Sequence, residues 1–117
     1  MSIFARFRVP AVGADEARTL VSQGAALLDV RESTEWNAGH APQAVHVPVS
    51  RLQDLARRVP KGKKVVVVCR SGNRSAHVVR TLAGQGYDAV NLSGGMHAWR
   101  SAGGAVVDRH GRPGTVA

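Results

Sequence analysis

Apolar positions in this chain fall into short continuous runs, separated by stretches where they recur at helical spacing. The strongest run is KVVVVC, residues 64–69, whose β-branched residues show no polar alternation. That pattern predicts a central strand covered on both faces. ALLDV, AVHVPV (ended by Pro48) and AVNL read as further short strands. Between them, ADEARTLVSQG places Ala17, Leu20 and Val21 on one helical face, with acids in its first turn and Gly24 as a stop. SRLQDLARRVP pairs Ser50 with Gln53 in a capping-box pattern and closes at Pro60. RSAHVVRTLAGQG carries Val78, Val79, Leu82 and Ala83 at helical spacing, and GGMHAWRSAGG predicts one more short helix.

Strands alternating with helices imply an α/β fold, with a mostly parallel central sheet of about five strands and helices on both faces. The expected boundaries are one domain over residues 1–107 and a flexible tail over 108–117, which has no periodicity. In such sheets ligands bind beyond the carboxyl ends of the strands. Cys69 falls there, on the loop after the central strand.

Composition narrows the function. At 117 residues, 44% hydrophobic and 21% charged, the chain suits one ordinary globular domain. No apolar run is long enough for a membrane span, and MSIFARFRVP lacks the apolar core of a signal peptide, so the cytoplasm is the expected location. A single cysteine excludes an internal disulfide, and any second thiol must come from outside. Residues 51–80 hold nine basic groups against one acid, Asp54, while the rest of the chain is balanced at seven and seven. Such a field would attract small anions or an acidic protein partner, or would be no more than a solvated face. Nucleic acid is not expected, because no aromatic residue interrupts the basic segment to stack a base.

The loop CRSGNRS, residues 69–75, carries the chemistry. A cysteine acts as a nucleophile only when its thiolate is stabilised. Backbone N–H groups around Gly72 can converge on an anion, and a helix starting near Arg74 or Ser75 would aim its positive end at the loop. Arg70 and Arg74 add fixed positive charge. A cysteine closing a valine strand can equally be an inert small hydrophobe. Two arginines beside it favour the nucleophile.

CRSGNRS resembles the active-site loop of the rhodanese (sulfurtransferase) family. LLDVRESTEWNAGHAPQAVHVP, residues 27–48, and NLSGGMHAW, residues 91–99, are similar to two further motifs of that family. The chain departs from it at Gln43, where glycine is common, and at Ala41, where a larger aliphatic is usual. The related dual-specificity cell-cycle phosphatases use a Cys-x5-Arg loop. Here Ser75 stands at that arginine's place and Arg74 gives the shorter Cys-x4-Arg, which suits sulfur rather than phosphate.

The resemblance implies a single-domain rhodanese-like fold and a thiosulfate sulfurtransferase. Cys69 would take sulfur from a small anionic donor as a persulfide and pass it to cyanide or an external thiol. Arg70, Ser71, Gly72, Asn73, Arg74 and Ser75 would form the substrate cradle, with Arg70 engaging the donor's oxygens and Ser75 either donating to sulfur or capping the helix. Asp29, Arg31 and Glu35 are expected as structural support through a buried ion pair, and His40 as a hydrogen-bonded structural residue. No cofactor is implied. His46, His77 and His97 share no ligand spacing, so no metal is expected. A persulfide carrier between proteins is the alternative reading, with the phosphatase behind it.

Overall fold

The computed structural model describes residues 9–117, so all but the last two residues of the N-terminal stretch read above for a leader lie outside it. Five parallel strands form one sheet: β1 (Ala11–Val12), β2 (Ala26–Asp29), β3 (Val45–His46), β4 (Lys64–Val68) and β5 (Asp88–Leu92). Their order is β1-β5-β4-β2-β3, which puts β4 in the middle. Val67 lies between Leu28 of β2 and Asn91 of β5 in register. AVNL and AVHVPV form strands as expected, the second trimmed to two residues. The edge strand β1 is too short to show a pattern and was not anticipated.

Alternation along β4 divides the core. Val65, Val67 and Cys69 join Leu28, Val30, Val78, Val79 and Leu82 on one face. Val66 and Val68 join Leu27, Leu92, Met96 and Trp99 on the other. All four valines are fully buried, each contributing roughly 1.5–3 kcal/mol of apolar transfer free energy. An unbroken valine run is therefore what this position requires. The first face is covered by α4 (Asn73–Gly84) and by the segment around Leu55, the second by α1 (Ala14–Ser22) and α5 (Gly95–Ser101). Helix α1 ends just before Gly24, whose φ of 105° serves the turn back into the sheet.

Two local expectations fail. The capping box expected at Ser50 and Gln53 does not form. Residues Val49–Asp54 make a 3-10 helix broken at Arg51 (φ −132°), followed by the single-turn α3 (Leu55–Arg58). Ser50 instead donates its hydroxyl to Glu32 Oε1 at 2.7 Å. A capping box does form on α2 (Ser33–Ala38), between Glu32 and Glu35.

Residues 108–117, expected as a flexible tail, are tied to the body. Asp108 Oδ1 accepts the N–H groups of His110 and Arg112 (2.8 and 3.0 Å), which closes a turn. The chain then runs back, with Gly114 N–H on the Val106 carbonyl and Thr115 N–H on the Ala38 carbonyl, both at 3.0 Å. The tail forms a strap, held by backbone pairing that no apolar periodicity announces.

Candidate active site

Cys69 follows β4 directly and is only 1% exposed. The loop after it turns at Gly72, whose φ of 109° is open to glycine and strained for other residues. This turn brings the Gly72 N–H to 3.1 Å from Cys69 Sγ and starts α4 at the next residue. Twelve residues of helix thus aim their positive end at the sulfur. Burial pushes the thiol up, but the Ser75 hydroxyl and the N–H groups of Ser75, Gly72 and Ser71 outweigh it, leaving Cys69 below the ordinary thiol value. Ser75 is fully buried, its Oγ 3.3 Å from Sγ, and it makes no helix cap. Asn73 and Ser71 face solvent at the rim.

The two arginines have different occupations. Arg74 donates from both terminal guanidinium nitrogens to Glu35 (Nη1–Oε1 2.6 Å, Nη2–Oε2 2.8 Å). The Arg74 hydrogen bond is the main reason the Glu35 carboxyl stays below its usual range. Arg70 is exposed, and its Nε donates to the Ala117 carbonyl at 2.9 Å. Ala117 of the strap therefore lies beside the loop.

Asp29 and Arg31 form a fully buried ion pair, Nη2–Oδ2 2.8 Å, closed further by the Arg31 backbone N–H on Oδ1. Arg31 also donates to the Gly39 carbonyl at 2.6 Å, which ties the end of β2 to the end of α2. Glu35 feels the Arg31 charge but gives its carboxylate oxygens to Arg74, and so supports the cysteine loop. His40 Nδ1 lies 2.7 Å from the Trp36 carbonyl, and its ring stacks on the Trp36 ring at 3.6 Å. Gln43 occupies an exposed turn and Ala41 is buried. No non-glycine residue among those described has positive φ, so Gln43 needs no glycine-like backbone.

Sequence reasoning passed over two residues behind the loop. Asn91 on β5 accepts the Ser75 hydroxyl at 2.5 Å and donates to the Gly72 carbonyl at 3.1 Å. The available signal was an amide inside an apolar strand. Gly95, which opens the predicted last helix, sits where a β-carbon would collide with the Cys69 carbonyl oxygen and with Arg70. The close approach lets the Met96 N–H reach the Cys69 carbonyl at 2.8 Å, so α5 braces the loop from behind.

The basic segment does not make one patch around Cys69. Lys61, Lys63 and Lys64 lie at the amino end of β4, opposite the cysteine. Arg51 and Arg57 share Asp54, and Lys64 meets Asp88. Among the described residues no cluster of three His, Cys, Asp or Glu could hold a metal, and no helix is long and apolar enough to cross a membrane.

This geometry agrees with comparison to known proteins. The Rhodanese-like domain family matches residues 13–102. YtwF of Bacillus subtilis (strain 168) is 44% identical over 73 residues, spanning 62% of this chain and 71% of that protein. The thiosulfate sulfurtransferase GlpE of Pseudomonas syringae pv. syringae is 36% identical over 88 residues, 74% of this chain and 83% of that one. The crystal structure of a rhodanese-related protein from Thermoplasma volcanium superposes with a TM-score of 0.76 at 31% identity, over 84% of this chain and 97% of the other. A cysteine cradled at the carboxyl end of a five-stranded parallel sheet, within a match of this extent, makes the chain a member of the rhodanese-like domain family, among relatives named as sulfurtransferases.

Proposed function

We propose that this protein transfers a sulfane sulfur from thiosulfate or a related small anionic donor to a thiophilic acceptor, cyanide or a thiol, through a persulfide on Cys69. The observation that carries the reading is the Cys69 sulfur itself, the chain's lone thiol, buried and met by the Gly72 N–H at 3.1 Å beneath the start of α4. In the first step the Cys69 thiolate attacks the outer sulfur of thiosulfate. The S–S bond of the donor breaks, sulfite leaves with that electron pair, and a Cys69 persulfide anion remains. In the second, cyanide attacks the terminal sulfur, thiocyanate leaves, and the thiolate returns. Two half-reactions on one nucleophile give ping-pong kinetics.

The cradle suits this charge. Loop N–H groups hold a negative sulfur without reorganising, which is preorganised electrostatic stabilisation. Arg70, at the rim, is the group proposed to meet the donor's oxygens, and its Nε already holds a carbonyl oxygen. Arg74 is held by Glu35, so it contributes charge and loop shape rather than a free fork for phosphate. A reducing compartment such as the cytoplasm suits a lone thiol with this task.

The test is thiocyanate formation from thiosulfate and cyanide. Wild type should turn over with parallel double-reciprocal lines, and Cys69→Ser should be inactive. Equal rates in the two proteins would refute the proposal. A protein that gains sulfur but turns over poorly would instead favour a persulfide carrier working between proteins.

A further inference from the structure

Ser75 stands between two acceptors with one proton to give. Its Oγ lies 2.5 Å from Asn91 Oδ1 and 3.3 Å from Cys69 Sγ. The orientation of the Asn91 amide follows from its other contact. Its Nδ2 lies 3.1 Å from the Gly72 carbonyl, which can only accept, so the amide oxygen must face Ser75. That oxygen in turn only accepts. The resting Ser75 hydroxyl therefore donates to Asn91 and turns its lone pairs toward the sulfur.

All three groups are buried, at 0% exposure for Ser75, 1% for Cys69 and 7% for Asn91, so water offers little substitute for a broken bond. A neutral sulfur asks nothing more of Ser75, since a thiol can donate into its lone pair. A thiolate asks for donors. The Gly72 N–H supplies one, and Ser75 supplies another only by turning away from Asn91, which leaves a buried amide oxygen unpaired. Each ionisation of Cys69 is thus linked to the loss of the Ser75–Asn91 bond.

We propose that Asn91 is a positioning residue for Cys69, holding the Ser75 proton off the sulfur while the sulfur is neutral and releasing it when charge arrives. It touches Ser75 and Gly72 rather than the sulfur, and it acts as a brake on the thiolate. The brake has a chemical use. An attacking thiol works best when its ionisation sits near ambient pH, and the same sulfur must later leave from the persulfide. The purpose of the device rests on the sulfurtransfer reading, but the device itself is measurable without any transfer.

The experiment follows iodoacetamide alkylation of Cys69, the chain's one cysteine, against pH in wild type, Asn91→Leu, Ser75→Ala and the double variant. Asn91→Leu should lower the midpoint by about one pH unit, a severalfold faster reaction below both midpoints, since the roughly tenfold gain in thiolate is partly offset by its weaker nucleophilicity. Ser75→Ala should raise it. In the Ser75→Ala background, Asn91→Leu should produce no downward movement, because no proton is left to release. The same downward movement in both backgrounds, or none or an upward one in wild type, overturns the proposal. Asn91→Ala, which adds no bulk at this position, repeats the comparison if the leucine variant does not fold. Midpoints that behave as stated in a protein making no thiocyanate would leave the Asn91 role standing and remove the sulfurtransfer reading.

Discussion

Arg74 and Glu35 form a two-pronged ion pair, 2.6 and 2.8 Å, that ties the first turn of α4 to α2 across 39 residues of chain. Because the guanidinium lowers the Glu35 carboxyl on folding, the pair stabilises the protein fully above the usual carboxylate range. That contribution is lost as pH falls through the depressed folded value.

Glu35→Gln should therefore lose about 1 kcal/mol at neutral pH, since the Arg74 side chain is still 39% exposed and solvent screens the pair. The deficit should shrink as the medium is acidified below the folded value, where wild type has lost the charge as well. Urea midpoints at neutral and acid pH check this. A deficit that stays constant with pH would assign the effect to packing.

Gly95→Ala should disturb the cysteine loop directly. Its φ of 59° alone costs a β-carbon about 1 kcal/mol, and the new methyl meets the Cys69 carbonyl and Arg70 as well. Gly111→Ala is the matched control, with φ of 80° and open space around the β-carbon. The Gly111 variant should lose about 1 kcal/mol with normal Cys69 reactivity, and the Gly95 variant several kcal/mol with slowed alkylation. Equal losses would mean that the loop and α5 do not press on each other.

Removing residues 108–117 should free the Arg70 Nε from the Ala117 carbonyl. If Arg70 meets the donor's oxygens, the thiosulfate KM should fall severalfold, on the order of 1 kcal/mol. Some thermal stability should be lost with the Thr115–Ala38 bond. An unchanged or higher KM would remove Arg70 from donor binding.

The fold was legible where burial alone determines the residue. Val65 to Val68 are apolar because both faces of β4 are covered, and the strand reads without help. The loop could be singled out as the candidate site because a glycine and two arginines stand beside the chain's one cysteine. Pairings between distant segments left no local trace. Nothing in SRLQDLARRVP shows that Ser50 will bond Glu32 rather than cap its own helix, and nothing near Arg74 names Glu35. β1 borrows its two residues of pairing from Asn91 and Leu92, and the strap borrows its backbone partners from Ala38 and Val106. Asn91 was hidden for the opposite reason, since a single amide in a strand usually signals only an edge.

The central claim is the persulfide on Cys69, and intact-mass spectrometry after incubation with thiosulfate tests it most directly. Wild type should gain one sulfur atom, lose it again on addition of cyanide, and show no gain after Cys69 is alkylated; Cys69→Ser should never gain it. A wild-type mass unchanged by thiosulfate, or the same gain in Cys69→Ser, would contradict the account.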